Sequence, residues 1–159
     1  MRILAIALTL LASQAAALSC MRPDPVAAFQ NALDAPERFY VLYGQIDFDE
    51  ALLPQGLVNA RPLPQPIAGV YRGDGLTKNG FRPTTLSDVI VQSSCAGPWC
   101  GRMAAGADHL MFAKQTDAGL VINVGPCGGA VFAAPTQDML DQMVQCMRGE
   151  ACVPADPSR

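Results

Sequence analysis

The sequence has few charged residues, few aromatic residues and a single histidine. Of its 159 residues, 16% are charged and 6% are aromatic, and tryptophan occurs once. The 11 basic residues are outnumbered by 14 acidic ones and form no cluster, so the chain lacks the positive surface with which proteins hold nucleic acid or an anionic membrane. We therefore expect neither as a partner.

The scarcity of histidine also restricts catalysis and metal binding. Any Ser-His-Asp or Cys-His arrangement must use His109, and no Gly-x-Ser-x-Gly motif places a nucleophilic serine to meet it. One histidine and six cysteines that we expect to be oxidised leave few ligands for zinc. We predict a non-enzymatic protein with no metal site and no cofactor.

The first 17 residues are typical of a secretory signal peptide. Arg2 supplies the positive charge, an apolar run covers residues 3–12, and the alanines at 15–17 form a small-residue cleavage site. A transmembrane helix needs about 20 apolar residues, and this run is interrupted too early. We predict residues 1–17 as signal peptide, 18–152 as a single domain and 153–159 as a flexible tail. The protein is expected to be exported, to the periplasm or the medium, with no transmembrane segment in the mature chain.

Cys20 allows a second interpretation of the same segment. Ser19 precedes it, so Cys20 could be the lipidated N-terminus of a lipoprotein, although Leu18 lies one position too near the cysteine. Six cysteines in an exported chain make three pairs, whereas a lipid on Cys20 would leave one thiol without a partner. The lipoprotein anchored at Cys20 is retained as the alternative.

Apolar spacing and turn residues predict the secondary structure. The predicted elements are a helix over 26–35, strands over 39–48, 67–71, 86–92, 110–114 and 120–124, and a helix that begins after Thr136. Prolines mark residues 51–66 as a loop, and glycines separate the second and third strands. Short strands with a helix at each end favour a mainly β fold, a small barrel with helical flanks.

Three segments in order resemble the netrin-module and tissue-inhibitor-of-metalloproteinases group of secreted proteins. They are Cys-Met-Arg-Pro-Asp-Pro-Val-Ala-Ala-Phe at 20–29, Trp-Cys-Gly at 99–101, and the hairpin segment that runs from Asp108 to Cys127. The resemblance implies a disulfide-stapled, OB-like antiparallel barrel. It also implies a bond between Cys20 and Cys127.

The family partner of the cysteine at Cys100 lies two residues before Cys20, where this sequence has Leu18. With that partner missing, we expect Cys100 to bond Cys95. Cys146 is then expected to bond Cys152. Six cysteines allow fifteen pairings, so this connectivity is a hypothesis.

The resemblance favours an exported binding or interaction module with an unknown protein or small-molecule partner. We predict that Ser19, Cys20, Met21 and Trp99 contribute to binding. Animal inhibitors of the group chelate a protease zinc through an N-terminal cysteine, but cleavage after residue 17 leaves Leu18 and Ser19 ahead of Cys20. A protease inhibitor that uses the N-terminal ridge remains an alternative, as does a thiol-disulfide protein that uses Cys95 and Cys100.

Four further motifs have weaker functional interpretations. Trp99 to Met103 resembles half of a thioredoxin active site, with Met103 in place of the second cysteine. The acidic residues at 47, 49 and 50 could bind calcium, but a solvated strand end is the simpler interpretation. Residues 72–74 match a receptor-binding Arg-Gly-Asp tripeptide, but more simply predict a turn. The methionines at 139, 143 and 147 are expected to pack in the core.

Overall fold

A computed structural model describes residues 19–56 and 65–155. The elements are α1 (Pro25–Asp34), β1 (Phe39–Asp47), a 3₁₀ turn (Glu50–Leu52), β2 (Ile67–Thr77), β3 (Gly80–Pro83), β4 (Asp88–Ser93), β5 (Cys95–Ala96), β6 (Trp99–Cys100), β7 (His109–Thr116), β8 (Gly119–Val124), β9 (Val131–Ala133) and α2 (Gln137–Arg148). The predicted signal peptide and residues 156–159 of the predicted tail lie outside the described residues. Neither helix in the described ranges is long and apolar enough to cross a membrane.

Five strands close into a small OB-like barrel in the order β1-β2-β4-β8-β7, with β7 pairing back to β1. Four of the five pairings are antiparallel. The fifth, between β4 and β8, is parallel, with Val89 opposite Leu120. The predicted mainly β, disulfide-stapled barrel with a helix at each end is therefore confirmed, with one parallel pair that the sequence pattern did not indicate.

Strand β7 separates two hydrophobic cores because both of its faces are buried. Met111 and Ala113 point into the barrel with Leu42, Ile46 and Val91. The alternate residues of the strand pack outside the barrel against the two helices. The side chains of this outer core include Val26, Phe29, Leu110, Phe112 and Met143. The methionine stripe of α2 is thus core packing, as expected.

Strand β2 is longer than the sequence predicted. We expected it to end at residue 71 and Gly73-Asp74-Gly75 to form a turn, but the strand continues to Thr77 and pairs with β3. Gly44 and Gly73 are register partners in the β1–β2 pair, and the two backbones lie so close there that a Cβ on Gly44 would overlap the Arg72 carbonyl. The glycines permit this approach of two backbones, so the turn prediction was wrong.

Both helices begin with side-chain caps. Asp24 accepts hydrogen bonds from the amides of Val26 and Ala27, and Thr136 accepts one from Met139. Asp24 also accepts the amide of Ala155, 2.7 Å away, so the chain after α2 returns to the start of α1. Both chain ends of the described domain therefore meet beside α1.

Candidate functional site

The predicted binding residues Ser19, Cys20 and Met21 form an exposed segment before α1, which we call the N-terminal ridge. Met21 is 82% exposed, the largest exposure among the large apolar side chains described. The ridge belongs to no strand, and the disulfide between Cys20 and Cys127 ties it to the turn after β8. A covalent bond thus holds an otherwise extended segment against the barrel.

Trp99, the other predicted binding residue, lies on a short hairpin made by β5 and β6, which we call the finger. Cys95 and Cys100 face each other across the two strands and are joined by a disulfide. Gly97 lies at the tip with φ +60°, a left-handed conformation that glycine adopts freely. The indole of Trp99 is 40% exposed. The finger is therefore a small closed ring that presents one aromatic side chain.

The structure brings the ridge and the finger to the same turn of chain. At the base of the finger, the amide of Ser94 donates to the Val124 carbonyl at 3.0 Å and the amide of Gly101 donates to the Ser94 carbonyl at 2.9 Å. Cys127, which holds the ridge, follows Val124 by three residues. All four predicted binding residues therefore belong to two segments anchored at the chain that leaves β8.

Each of the six cysteines is in a disulfide. The third bond joins Cys146 to Cys152 after α2. The pair that the resemblance implies and the two pairs expected from the departure at Leu18 are therefore all present. Met103, at the position where a thioredoxin-like motif would have its second cysteine, is 5% exposed and packs in the barrel core. The geometry around Cys100 is that of a structural disulfide.

The remaining sequence motifs serve local structure. Arg72 and Asp74 lie inside β2, where Arg72 approaches Asp47 at 4.0 Å, so the tripeptide is not presented on a loop. Asp49 caps the 3₁₀ turn, and Glu50 accepts the amide of Ala105 at 2.6 Å. Within the described ranges no three histidine, cysteine, aspartate or glutamate side chains are grouped as metal ligands.

A cavity of about 720 Å³ opens beside the finger, where the end of β1 meets the start of β7. Its polar side chains include Glu50, Arg102, Asp108 and His109. His109 is 2% exposed, and its Nδ1 lies 2.8 Å from the Ala107 carbonyl. The sequence singled out His109 as the one histidine available for catalysis or zinc binding. It did not predict this cavity, because the walls come from segments far apart in the chain.

Comparison with known protein families, with curated proteins and with solved structures gave no significant match.

Proposed function

We propose that this chain is an exported binding module that recognises a protein partner through the N-terminal ridge and the finger. The observation that carries the proposal is the pair of exposed apolar side chains, Met21 and Trp99, on two disulfide-anchored segments. Large aromatic side chains and methionine are enriched in protein interfaces, and tryptophan is a frequent hot spot. Anchoring by disulfides reduces the conformational entropy that binding would otherwise remove.

Export is part of the proposal because disulfides form and persist in oxidising compartments. Three disulfides with no free cysteine among the described residues are compatible with a protein that functions outside the cytoplasm. Both the periplasm and the external medium provide such conditions. As a further part of the proposal, the chain is related to the netrin-module and metalloproteinase-inhibitor group. The bond between Cys20 and Cys127, which the resemblance implies, supports this relationship.

Local charge indicates the kind of protein surface that would fit. The residues that follow the ridge and the finger along the chain include Arg22 and Arg102, and both side chains are exposed. The protein as a whole carries a net charge of −3, so these arginines contrast with the remaining surface. We call the ridge, the finger and these two arginines the binding edge. A partner with an apolar pocket rimmed by carboxylates would complement it.

The proposal is tested by quantitative capture on the immobilised mature protein from periplasm and culture medium of the source organism. The matched variants are Trp99→Ala and Met21→Ala on the edge and Leu33→Ala on α1, where the side chain is also 68% exposed. A captured protein is then purified and titrated against each variant. We expect Trp99→Ala to weaken binding by roughly 30-fold, as for a hot-spot residue, and Leu33→Ala to leave it unchanged. Equal capture by all three variants would contradict a binding edge at the ridge and finger.

Two further assays test the two alternative functions. A captured metalloprotease whose inhibition is lost when residues are added before Leu18 would favour an inhibitor that uses the ridge. Thiol-disulfide exchange that is lost in a Cys100→Ser variant would favour a redox protein. We place the binding module first because the exposed side chains are apolar and Met103 occupies the position of a resolving cysteine.

A further inference from the structure

The cavity beside the finger has the dimensions of a small-molecule site. Its volume of about 720 Å³ falls within the roughly 300–1,000 Å³ range of ligand pockets. Apolar side chains, among them Met103, Val131 and Pro135, form much of its wall, and a few polar groups converge on it. Neither the ridge residues nor Trp99 line this cavity, and Arg102 is the one residue that it shares with the proposed binding surface.

His109 presents a hydrogen-bond acceptor to this cavity. Because the Ala107 carbonyl can only accept, the contact at 2.8 Å corresponds to the ring tautomer with its hydrogen on Nδ1. Nε2 then carries a lone pair, and it has no hydrogen-bond partner among the described residues. No enclosed side-chain nitrogen or oxygen of the described residues lacks a partner, so Nε2 has accessible surface, and His109 is one of the residues that line the cavity. A side chain that is 98% buried thus directs its one unused polar atom at a ligand-sized space.

Besides His109, the polar residues that line the cavity are two carboxylates, one guanidinium and the phenol of Tyr43. Glu50 uses Oε1 to accept the Ala105 amide at 2.6 Å, and Asp108 uses Oδ1 to accept the Gln45 side chain at 2.9 Å. The second oxygen of each carboxylate has no partner within the described part of the chain. Arg102 is the one basic residue among the described residues that line the cavity, and it donates to the side chain of Gln55 at 3.2 Å. The two carboxylates outnumber the one guanidinium, so these three side chains together carry a net negative charge.

The wall of the cavity also contains a strained residue. Ala134 has φ +46°, and it is the one non-glycine residue with positive φ in the described ranges. Its amide donates to the Asp108 carbonyl at 3.1 Å, which fixes the end of β9 against the start of β7. Such conformations persist where the surrounding structure imposes them, and they are concentrated at ligand sites. The positive φ of Ala134 therefore indicates that the surrounding structure fixes the shape of this wall.

We propose that this cavity binds a small organic cation, an alkylammonium or guanidinium group with an apolar stem. Its N–H group donates to Nε2 of His109, and its charge faces the carboxylates of Glu50 and Asp108. The stem lies along the apolar wall. An anion of the same size would meet two carboxylates and a lone pair with only Arg102 to attract it. Metal ions are a poor fit because the described residues group no three ligating side chains.

The test uses four probes of similar size: butylguanidinium, butylammonium, pentanol and pentanoate. Binding is measured by titration calorimetry, with the ¹⁵N resonances of His109 followed by NMR. We expect the two cations to bind and to shift Nε2 more than Nδ1, and we expect pentanoate not to bind. Binding of pentanoate as tight as that of butylguanidinium would overturn the proposal, as would cation binding that leaves the His109 resonances unchanged.

Charge-removing variants provide the second arm. Glu50→Gln and Asp108→Asn each keep an acceptor for their backbone or amide partner, so the fold is maintained while a charge is lost. Each should weaken butylguanidinium binding by about threefold, the scale of an exposed ion pair. Asp117→Asn, in the turn between β7 and β8, is the control and should change nothing. Equal effects of all three variants would indicate nonspecific attraction and overturn the site.

A final comparison identifies the source of the cation. N-acetylarginine amide carries the same guanidinium as a protein side chain does, whereas butylguanidinium represents a free metabolite. Tighter binding of the blocked arginine supports the cation site with a protein as the source. Tighter binding of butylguanidinium supports it with a free small molecule as the source.

Discussion

At the scale of single residues, Tyr71 shows how the barrel interior controls a polar group. It is 2% exposed, and its hydroxyl lies 2.9 Å from the Tyr43 carbonyl and 2.8 Å from the Asp74 carbonyl. Burial, followed by the nearby charge of Asp74, raises the pKa of Tyr71 well above its ordinary value. The phenol can donate a hydrogen bond to these carbonyls, and so help to hold β1 against β2, only while it is protonated.

We predict that Tyr71→Phe lowers the free energy of unfolding by about 1–1.5 kcal/mol at neutral pH, because the hydrogen bond is lost. The raised pKa also makes stability depend on alkaline pH. Above an unfolded-state pKa of about 10 the unfolded chain releases the tyrosine proton while the folded chain keeps it, so stability falls as pH rises. Urea unfolding at neutral and alkaline pH measures both effects. Tyr40→Phe is the control, and a Tyr71→Phe variant that retains the full alkaline loss would contradict this origin.

At the scale of elements, Gly101 determines how the finger attaches to the barrel. Its Cα lies so close to the Val124 carbonyl that a Cβ would overlap that oxygen and approach Gly125. The neighbouring Ser93 hydroxyl donates to the Gly101 carbonyl at 2.9 Å, so the segment cannot move away without losing this bond. The position requires glycine because the obstacle is backbone.

We predict that Gly101→Ala destabilises the protein by about 2–3 kcal/mol, as overpacking against an immobile backbone does. Gly75→Ala is the matched control, because a Cβ there would meet only the Thr84 side chain at an ordinary 3.7 Å. That control should change stability by less than about 0.5 kcal/mol. Thermal and urea unfolding of both variants provide the measurement, and equal losses would show that the contact at Val124 is not decisive.

The sequence predicted the regular elements well but not the contacts between segments that are distant in the chain. Residues with a strong periodic pattern, such as the β7–β8 hairpin and the methionine face of α2, were predicted close to their observed positions. Gly73 was misassigned to a turn because the sequence around it does not reveal that another backbone passes within contact distance. The cavity was missed for a related reason: Glu50, Arg102 and His109 come together only through the strand order of the closed barrel. The propensity of a residue for helix or strand does not indicate which distant segments it will contact in the fold.

At the scale of the whole molecule, the disulfides differ most in the length of chain that they close. Cys20 and Cys127 are 107 residues apart, whereas Cys146 and Cys152 are six apart. In the loop-entropy model the longer bridge contributes about 4.7 kcal/mol and the shorter about 2.2 kcal/mol, because a long loop restricts the unfolded chain more. The Cys20–Cys127 bond, which holds the ridge against the barrel, is therefore the disulfide with the largest expected contribution to the free energy of unfolding.

We predict that replacing Cys20 and Cys127 together with alanine costs more stability than the same replacement at Cys146 and Cys152. Urea unfolding of the two double variants, with the remaining disulfides kept oxidised, gives the comparison. The expected difference is about 2.5 kcal/mol. A larger loss from the 146–152 pair would mean that the packing of Cys146 in the outer core outweighs the effect of loop length.

The attachment of the finger has a consequence for the use of this domain as a scaffold. The hairpin leaves and re-enters the barrel through a narrow neck, where the Ser94 amide donates to the Val124 carbonyl and the Gly101 amide donates to the Ser94 carbonyl. Its own disulfide closes the ring, and only the two-residue strands β5 and β6 lie between the neck and the tip. A designer could exchange the loop between Cys95 and Cys100 for other sequences without touching either core. The domain then serves as a frame for grafted cyclic peptides, displayed beside a ligand cavity.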